Sequence, residues 1–342
     1  MLTKIKYSQI CLILSCIFVI GGCSKNKENV TLVDHWPKEI EFQGKRVDLP
    51  LSEYITNRGY FVGDYLVFNA YKFDYSFLVY DRNFNLVDSV LRKGMGPQEL
   101  PGAMFYGQWK GSDTNPEITI FSEPLNRIAS IKLHPFGDLK TIGDIPSSSY
   151  ISPSSIYEVN DTLYAGVSLE IIEGARLFTF NPATNQTEVF PLPLAFNEKN
   201  RFYTTQQSMA YNPQLQCYYT AYNRAPWVVI YDCDFKVMKK IAIGEEIDTE
   251  TLTMDSNYPE MSMVEYFNNH ILVMYWSNPE TGDNNKLLVF DPKGKPEASI
   301  SIGDAMGYII DQKDKRLFTL HHDRDEDVIY LKEGDLPPFL TN

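Results

Sequence analysis

The chain has 342 residues, with 31 Lys plus Arg against 44 Asp plus Glu and a formal net charge of −13. No run of basic residues exceeds two, so the clustered cations that polyanion binding requires are missing, which argues against nucleic acid as a partner. Aromatic residues make up 13% of the chain, including 22 Tyr and 20 Phe, a bias toward strands in a sequence apolar enough to fold.

The N-terminal segment comes first and is set apart from the fold. Lys4 and Lys6 precede an apolar stretch from Ile10 to Ile20 broken only by Ser15. Eleven helical residues would rise about 16 Å, well short of a hydrocarbon core of roughly 30 Å, so the stretch is a poor stable transmembrane anchor. Ile20-Gly21-Gly22-Cys23 follows, then the polar run Ser24 to Asn29. This arrangement resembles a bacterial lipobox, in which the cysteine is diacylated on sulfur and becomes the new N-terminus. The expected boundaries are a lipoprotein signal peptide at 1–22, a lipidated tether at 23–30 and a folded body at 31–342. Each buried CH₂ of the acyl chains contributes about 0.8 kcal/mol, so two or three chains hold the mature protein on a membrane of the cell envelope, outside the cytoplasm. Loss of Lys4 and Lys6 leaves 29 basic and 44 acidic groups, a charge of −15 that keeps the body clear of an anionic bilayer. Cys11 and Cys16 leave with the signal and Cys23 takes lipid, so Cys217 and Cys233 remain, either as one disulfide across neighbouring strands or as two separate thiols.

Next in the chain is Glu39 to Leu51, which has strand character but no partner of its own nearby. A pattern then recurs: an apolar run closing on an aromatic residue or Leu, a turn, and a second run. The closing residues are Tyr80, Leu133, Phe180, Tyr231, Phe290 and Leu331, spaced by about 50 residues, the length of a four-stranded propeller blade. Each copy reads as a β-hairpin, including Asp327 to Leu340. Asp81, Asn181, Asp232 and Asp291 follow the closing residue, where a short side-chain acceptor bonds a backbone N–H two residues on. Ahead of most hairpins lies a second pair of runs, beginning at Gly59, Ser155, Ser208, Met263 and Gly307; in the second copy Pro116 to Pro124 is plain and its partner falls around Ala103 to Trp109. The expected fold is all-β: a six-bladed β-propeller of four-stranded blades. Because exposed edges invite aggregation, the Glu39 segment is expected to close the ring as the outer strand of the sixth blade.

One stretch departs from the turn pattern: Arg92-Lys93-Gly94-Met95-Gly96-Pro97-Gln98-Glu99-Leu100. Its glycines match neither the dinucleotide fingerprint nor the P-loop, and no helix is expected behind it, so it is not a phosphate cradle. Together with the lipobox and six hairpins, Gly94, Gly96, Pro97 and Glu99 resemble the G-x-G-P-x-E segment of the TolB-like six-bladed propeller lipoproteins of Bacteroides-type bacteria, with Gln98 where Gly is usual. The resemblance spans Cys23 to the last blade. It implies an extracytoplasmic propeller lipoprotein and leaves the activity open. Arg92, Lys93, Gly94, Gly96, Pro97 and Glu99 are the candidate binding-loop residues.

Catalytic signals are weak. The chain has no G-x-S-x-G elbow, no H-E-x-x-H and no paired-cysteine zinc motif. His321 and His322 are adjacent on a strand and so face opposite sides. Asp323, Asp325 and Asp327 alternate and offer oxygen ligands to Ca²⁺, but without the Gly and closing Glu of an EF-hand loop. The polar stretch Gly244 to Pro259 reads as a long inter-blade loop. Near it, Tyr222, Arg224, Trp227, Tyr258, Tyr266 and Trp276 form either a stacking surface for sugar or peptide or part of the inter-blade core. The expected function is therefore a non-catalytic, lipid-anchored binding or scaffold module for an envelope protein, peptide or glycan, with no cofactor. The alternative is a metal-assisted hydrolase or lyase working in the central channel with a divalent ion such as Ca²⁺.

Overall fold

The computed structural model describes residues 30–341 except positions 71, 134, 173, 198, 200, 254–257 and 278–281, and it is all-β. The expected signal peptide, Cys23 and all but the last residue of the tether lie outside the described residues. Six sheets follow one another along the chain, each a meander from an inner to an outer strand. Their inner strands are Ile55–Val62, Ala103–Ser112, Pro153–Asn160, Gln207–Asn212, Glu260–Phe267 and Gly307–Asp311, for blades 1 to 6.

Both faces of a blade are buried, so its strands read as nearly continuous apolar runs rather than as alternation. In Tyr65–Ala70 of blade 1, Leu66 and Phe68 pack toward blade 6 while Val67 packs toward blade 2, because successive side chains leave opposite faces. The result is six hydrophobic cores, one between each pair of neighbouring blades. The core that joins Leu66, Phe68 and Leu78 of blade 1 to Ile309, Phe318 and Leu331 of blade 6 makes the array a closed ring.

The turn chemistry holds. Asp81, Asn181, Asp232 and Asp291 each accept a backbone N–H two residues on, at 2.8, 2.9, 3.0 and 2.8 Å. The last repeat does not. Val328–Asp335 is one uninterrupted strand followed by a 3₁₀ turn at Pro338–Leu340, so Leu331 lies mid-strand and closes no hairpin. The fourth strand of this blade is Lys45–Asp48, antiparallel, with Val47 opposite Leu331. The Glu39 segment thus closes the sixth blade as expected, but only in part. Glu39–Glu41 lies parallel on the outer edge of blade 5, and Val30–Val33 lies parallel on blade 4. The N-terminal stretch belts three consecutive blades, covering two edges that would otherwise be open. Cys217 is buried, Cys233 is exposed, and both are free thiols, which decides the alternative in favour of two separate cysteines.

Candidate functional site in the central channel

Inner strands place their side chains around the propeller axis, where a cavity of about 490 Å³ opens toward the turns that join first and second strands. A second cavity of about 250 Å³ lies toward the opposite end, and Arg58 lines both. The size falls within the roughly 300–1,000 Å³ of small-molecule sites.

Four inner strands break register where they line this cavity, that of blade 3 between Pro153 and Ser155. In blade 1 the pairing passes from Ile55–Ala70 to Gly59–Phe68, so two extra residues bulge around Arg58. In blade 2 it passes from Phe105–Ile120 to Trp109–Ile118, with the bulge at Tyr106 to Gln108. In blade 5 it passes from Ser262–Met274 to Glu265–Leu272, and Met263 there has a φ of 50°. A bulge re-aims the side chains beside it, and bulges are enriched next to functional sites. Gly107, with a φ of +93°, allows the blade 2 bulge; a Cβ there would come within 2.7 Å of the Tyr60 ring. Gly59 is also required, since a Cβ would meet Phe68 and Ile309 at 2.5 and 2.7 Å, where blades 1 and 6 close beside Arg58.

The polar groups around the axis fall into two sets. One set stitches blades together. Asn69 exchanges hydrogen bonds with the Phe105 backbone, donating to its carbonyl at 3.1 Å and accepting from its N–H at 2.8 Å. Gln108 does the same with the backbone of Glu158. The Tyr157 hydroxyl donates to the Met209 carbonyl at 2.5 Å and that of Tyr308 to the Met263 carbonyl at 2.8 Å. At the mouth, Arg82 reaches Asp311 and Asp314 at 2.6 and 2.7 Å, while Lys313 reaches Asp64 and Asp113 at 2.6 and 3.1 Å. These pairs join blades 6, 1 and 2, and the Lys313 ammonium holds the Asp64 carboxyl below its ordinary range.

The other set is Arg58 and Glu265. They attract one another across the channel, yet among the described residues neither has an opposite charge within 4 Å. Glu265 lines the channel half-buried, and burial pushes its carboxyl up to about 7, against the Arg58 charge, which favours ionisation. Arg58 is set among the phenols of Tyr60, Tyr106 and Tyr157. A carboxyl that titrates near neutrality, opposite a guanidinium with no carboxylate partner among the described residues, inside a tyrosine-lined cavity, marks a functional-site candidate on geometry and electrostatics together.

Sequence reading did not single out Arg58 or Glu265. The residues it did single out lie elsewhere. Arg92 to Glu99 joins blade 1 to blade 2, at the opposite end of the inner strands from the cavity mouth. Its polar groups turn inward: a Glu99 oxygen accepts the Gly96 N–H at 2.9 Å, and the Lys93 ammonium donates to the Ala70 and Phe73 carbonyls at 2.8 and 2.9 Å. The Glu99 carboxylate fills the space a Cβ would need at Gly94, which explains that glycine without a ligand. Asp323 accepts from Arg46 at 3.0 Å and Asp327 is 2.9 Å from His322, so each has a partner of its own. Among the described residues no three His, Cys, Asp or Glu come together in a way that could hold a metal ion, so the donor set of Asp323, Asp325 and Asp327 does not fit Ca²⁺. His321 is buried and His322 exposed, on opposite faces as alternation requires. Tyr222 and Trp227 are core residues. Tyr258 packs against the core between blades 3 and 4, and Tyr266 against that between blades 4 and 5. Arg224 pairs with Glu260. Within Gly244 to Pro259, Ile247 and Leu252 are buried around a 3₁₀ turn capped by Asp248, while Asp255 lies outside the described residues.

The fold and site define a six-bladed β-propeller with a polar pair on its axis. No family model and no curated protein matches the chain. Solved structures do. A DUF4221 family member from Bacteroides vulgatus is similar with a TM-score of 0.58 at 12% identity, over 85% of this chain and 96% of its own. A Bacteroides fragilis protein provisionally described as exported is similar with a TM-score of 0.56 at 11% identity, over 91% of this chain and 99% of its own. At such identities the likeness carries the fold alone.

Proposed function

We propose that the mature protein is a lipid-anchored, extracytoplasmic propeller of the cell envelope, of the TolB-like kind that its sequence resembles. It acts as a non-catalytic binding module that takes a group from a protein, peptide or glycan partner into its central channel. The observation that carries this reading is the separation of Arg58 and Glu265 inside a cavity large enough for a small molecule. Arg58 and Glu265 are both half-buried, and opposite charges that line one cavity without joining are better explained by a ligand between them than by stability. The lipobox-like segment and the exported Bacteroides fragilis fold relative support the location. The exposed Arg92 and Met95 of the inter-blade loop offer a rim for a macromolecular partner on the other face.

The metal-assisted alternative has less support, because of the carboxylates that line the cavity among the described residues, Asp113 and Asp311 are held in ion pairs and Glu265 alone is left. Two measurements test the proposal. Cys23→Ala moves the protein from the membrane to the aqueous fraction; retention on the membrane refutes the anchor. Native mass spectrometry after incubation with a small-molecule extract of envelopes shows an adduct on the wild type that Arg58→Met loses. Absence of an adduct, or steady conversion of the bound species, refutes the binding module.

A further inference from the structure

Arg58 and Glu265 raise a question that the binding reading leaves open, namely what chemistry satisfies both. Each lies on a bulged inner strand, in blades 1 and 5 respectively, and each faces the same cavity. A ligand with only a carboxylate would pair with Arg58 and bring a second negative charge toward Glu265. One with only an amine would pair with Glu265 and face the guanidinium. Either leaves one charge of the channel opposed or unmet, at the cost that low-dielectric surroundings impose. A molecule with both groups pairs the two at once and brings no net charge of its own. Tyrosine rings lining the cavity suit the cationic end, since their faces attract ammonium groups. The Tyr157 hydroxyl, its proton already given to Met209, has only acceptor capacity left.

Resting on the channel-binding reading, we propose that the channel takes a small zwitterion whose carboxylate sits on Arg58 and whose protonated amine sits on Glu265, as in a free amino acid or a short peptide. A cavity of about 490 Å³ accommodates either. Proton linkage gives the proposal a sign. The groups facing Glu265 are Arg58 and Tyr60 from blade 1, Tyr157 from blade 3 and Tyr308 from blade 6, and none of these changes charge near neutral pH. Asp113, Asp311 and Lys313 line the mouth and are already paired. The empty channel holds Glu265 partly protonated near pH 7 because burial disfavours its charge. An ammonium group beside it ionises it, so a zwitterion releases protons on binding, whereas a plain anion takes them up.

Isothermal titration of the mature lipoprotein in detergent, at pH 7 in buffers of different ionisation enthalpy, tests this. The probes are the free L-amino acids, dialanine and trialanine, the N-acetyl and C-amide form of each binder, and glucuronate as a plain anion. The expected result is saturable binding of at least one zwitterion with proton release, weakened tenfold or more by blocking either end. The free amino acids and the peptides separate the two sources. Arg58→Met should weaken the zwitterion and its N-acetyl form but not the C-amide; Glu265→Gln should weaken the zwitterion and its C-amide but not the N-acetyl form. Equal binding of blocked and free forms, tighter binding of glucuronate, or proton uptake overturns the proposal. So does failure of every probe; if the envelope adduct then persists, the channel reading stands and only the ligand class falls.

Discussion

If the ring is closed by Lys45–Asp48 on Val328–Asp335, a covalent link across that pair should stabilise the whole propeller. Lys45 and Glu333 are directly opposite one another at the end of the antiparallel ladder. Opposed residues in such ladders have Cα separations of about 4.5–5.5 Å, inside the 4.4–6.8 Å that a disulfide spans. Both positions are polar, and the pair loses only the contact of Glu333 with Arg316, a partly exposed interaction worth about 1 kcal/mol or less. The bond would close a loop of about 290 residues, for which the chain-entropy model gives a gain of about 5–6 kcal/mol as an upper bound. A body of about 310 residues has an unfolding entropy near 0.65 kcal/mol/K, so the gain corresponds to a rise in Tm of up to about 9 °C. The assay is differential scanning calorimetry of Lys45→Cys/Glu333→Cys in a Cys233→Ser background, oxidised against reduced. Full crosslinking with a Tm several degrees higher is expected. Thiols that stay titratable under oxidation, or a crosslinked form with the Tm of the reduced one, would show that this strand does not close the sixth blade.

Three further outcomes follow from the site and the core. Glu265 titrates near 7 when folded against about 4.5 when free, so below pH 4.5 Glu265→Gln and the wild type should respond alike to pH. Between 4.5 and 7 the native state holds more protons than the unfolded one, so the wild type loses stability relative to the variant, by about 2–4 kcal/mol once pH exceeds 7; urea unfolding at pH 4.5, 6 and 8 reads this, and a constant difference contradicts it. Gly107→Ala puts a methyl group against Tyr60 at a positive φ and should cost about 1–3 kcal/mol in thermal unfolding; an unchanged Tm would mean that the bulge tolerates a side chain. In the native Cys23→Ala protein, lacking its signal segment, one thiol should react rapidly with a disulfide reagent and the second only after denaturation. Cys233 is exposed, whereas burial raises the Cys217 thiol and its sulfur lies 3.1 Å from the Tyr219 hydroxyl; two fast thiols would contradict that assignment.

Much of the architecture was legible because it is written locally. Asp81, Asn181, Asp232 and Asp291 announce their turns through a bond made two residues away, and apolar runs of blade length require burial on both faces. Long-range pairing is harder to read. Val328–Asp335 resembles the first half of a hairpin, since nothing in its own residues says that its partner lies at Lys45–Asp48. The parallel additions Val30–Val33 and Glu39–Glu41 escape for the same reason. The channel pair was illegible as a motif, because each blade offers the axis only a few side chains and the sequence scatters them by blade lengths. A signal was nonetheless present: a charge inside an inner strand otherwise made of aromatic and apolar residues, as in Arg58-Gly59-Tyr60-Phe61 and Met263-Val264-Glu265-Tyr266-Phe267. In blades 1 and 2 a mid-strand glycine stands beside the channel residues, a mark of a bulge or close approach.

Arg58 and Glu265 face one another across a shared cavity, and the functional reading stands or falls on their coupling. Carbon-detected NMR titration of the glutamate carboxyl groups tests it directly, with Glu265→Gln assigning the resonance. In the wild type one carboxyl should titrate near 7, and in Arg58→Met the same carboxyl should titrate higher, since the attraction that favours its ionisation is gone. A Glu265 midpoint in the ordinary range near 4.5, or one indifferent to the loss of Arg58, would contradict the account.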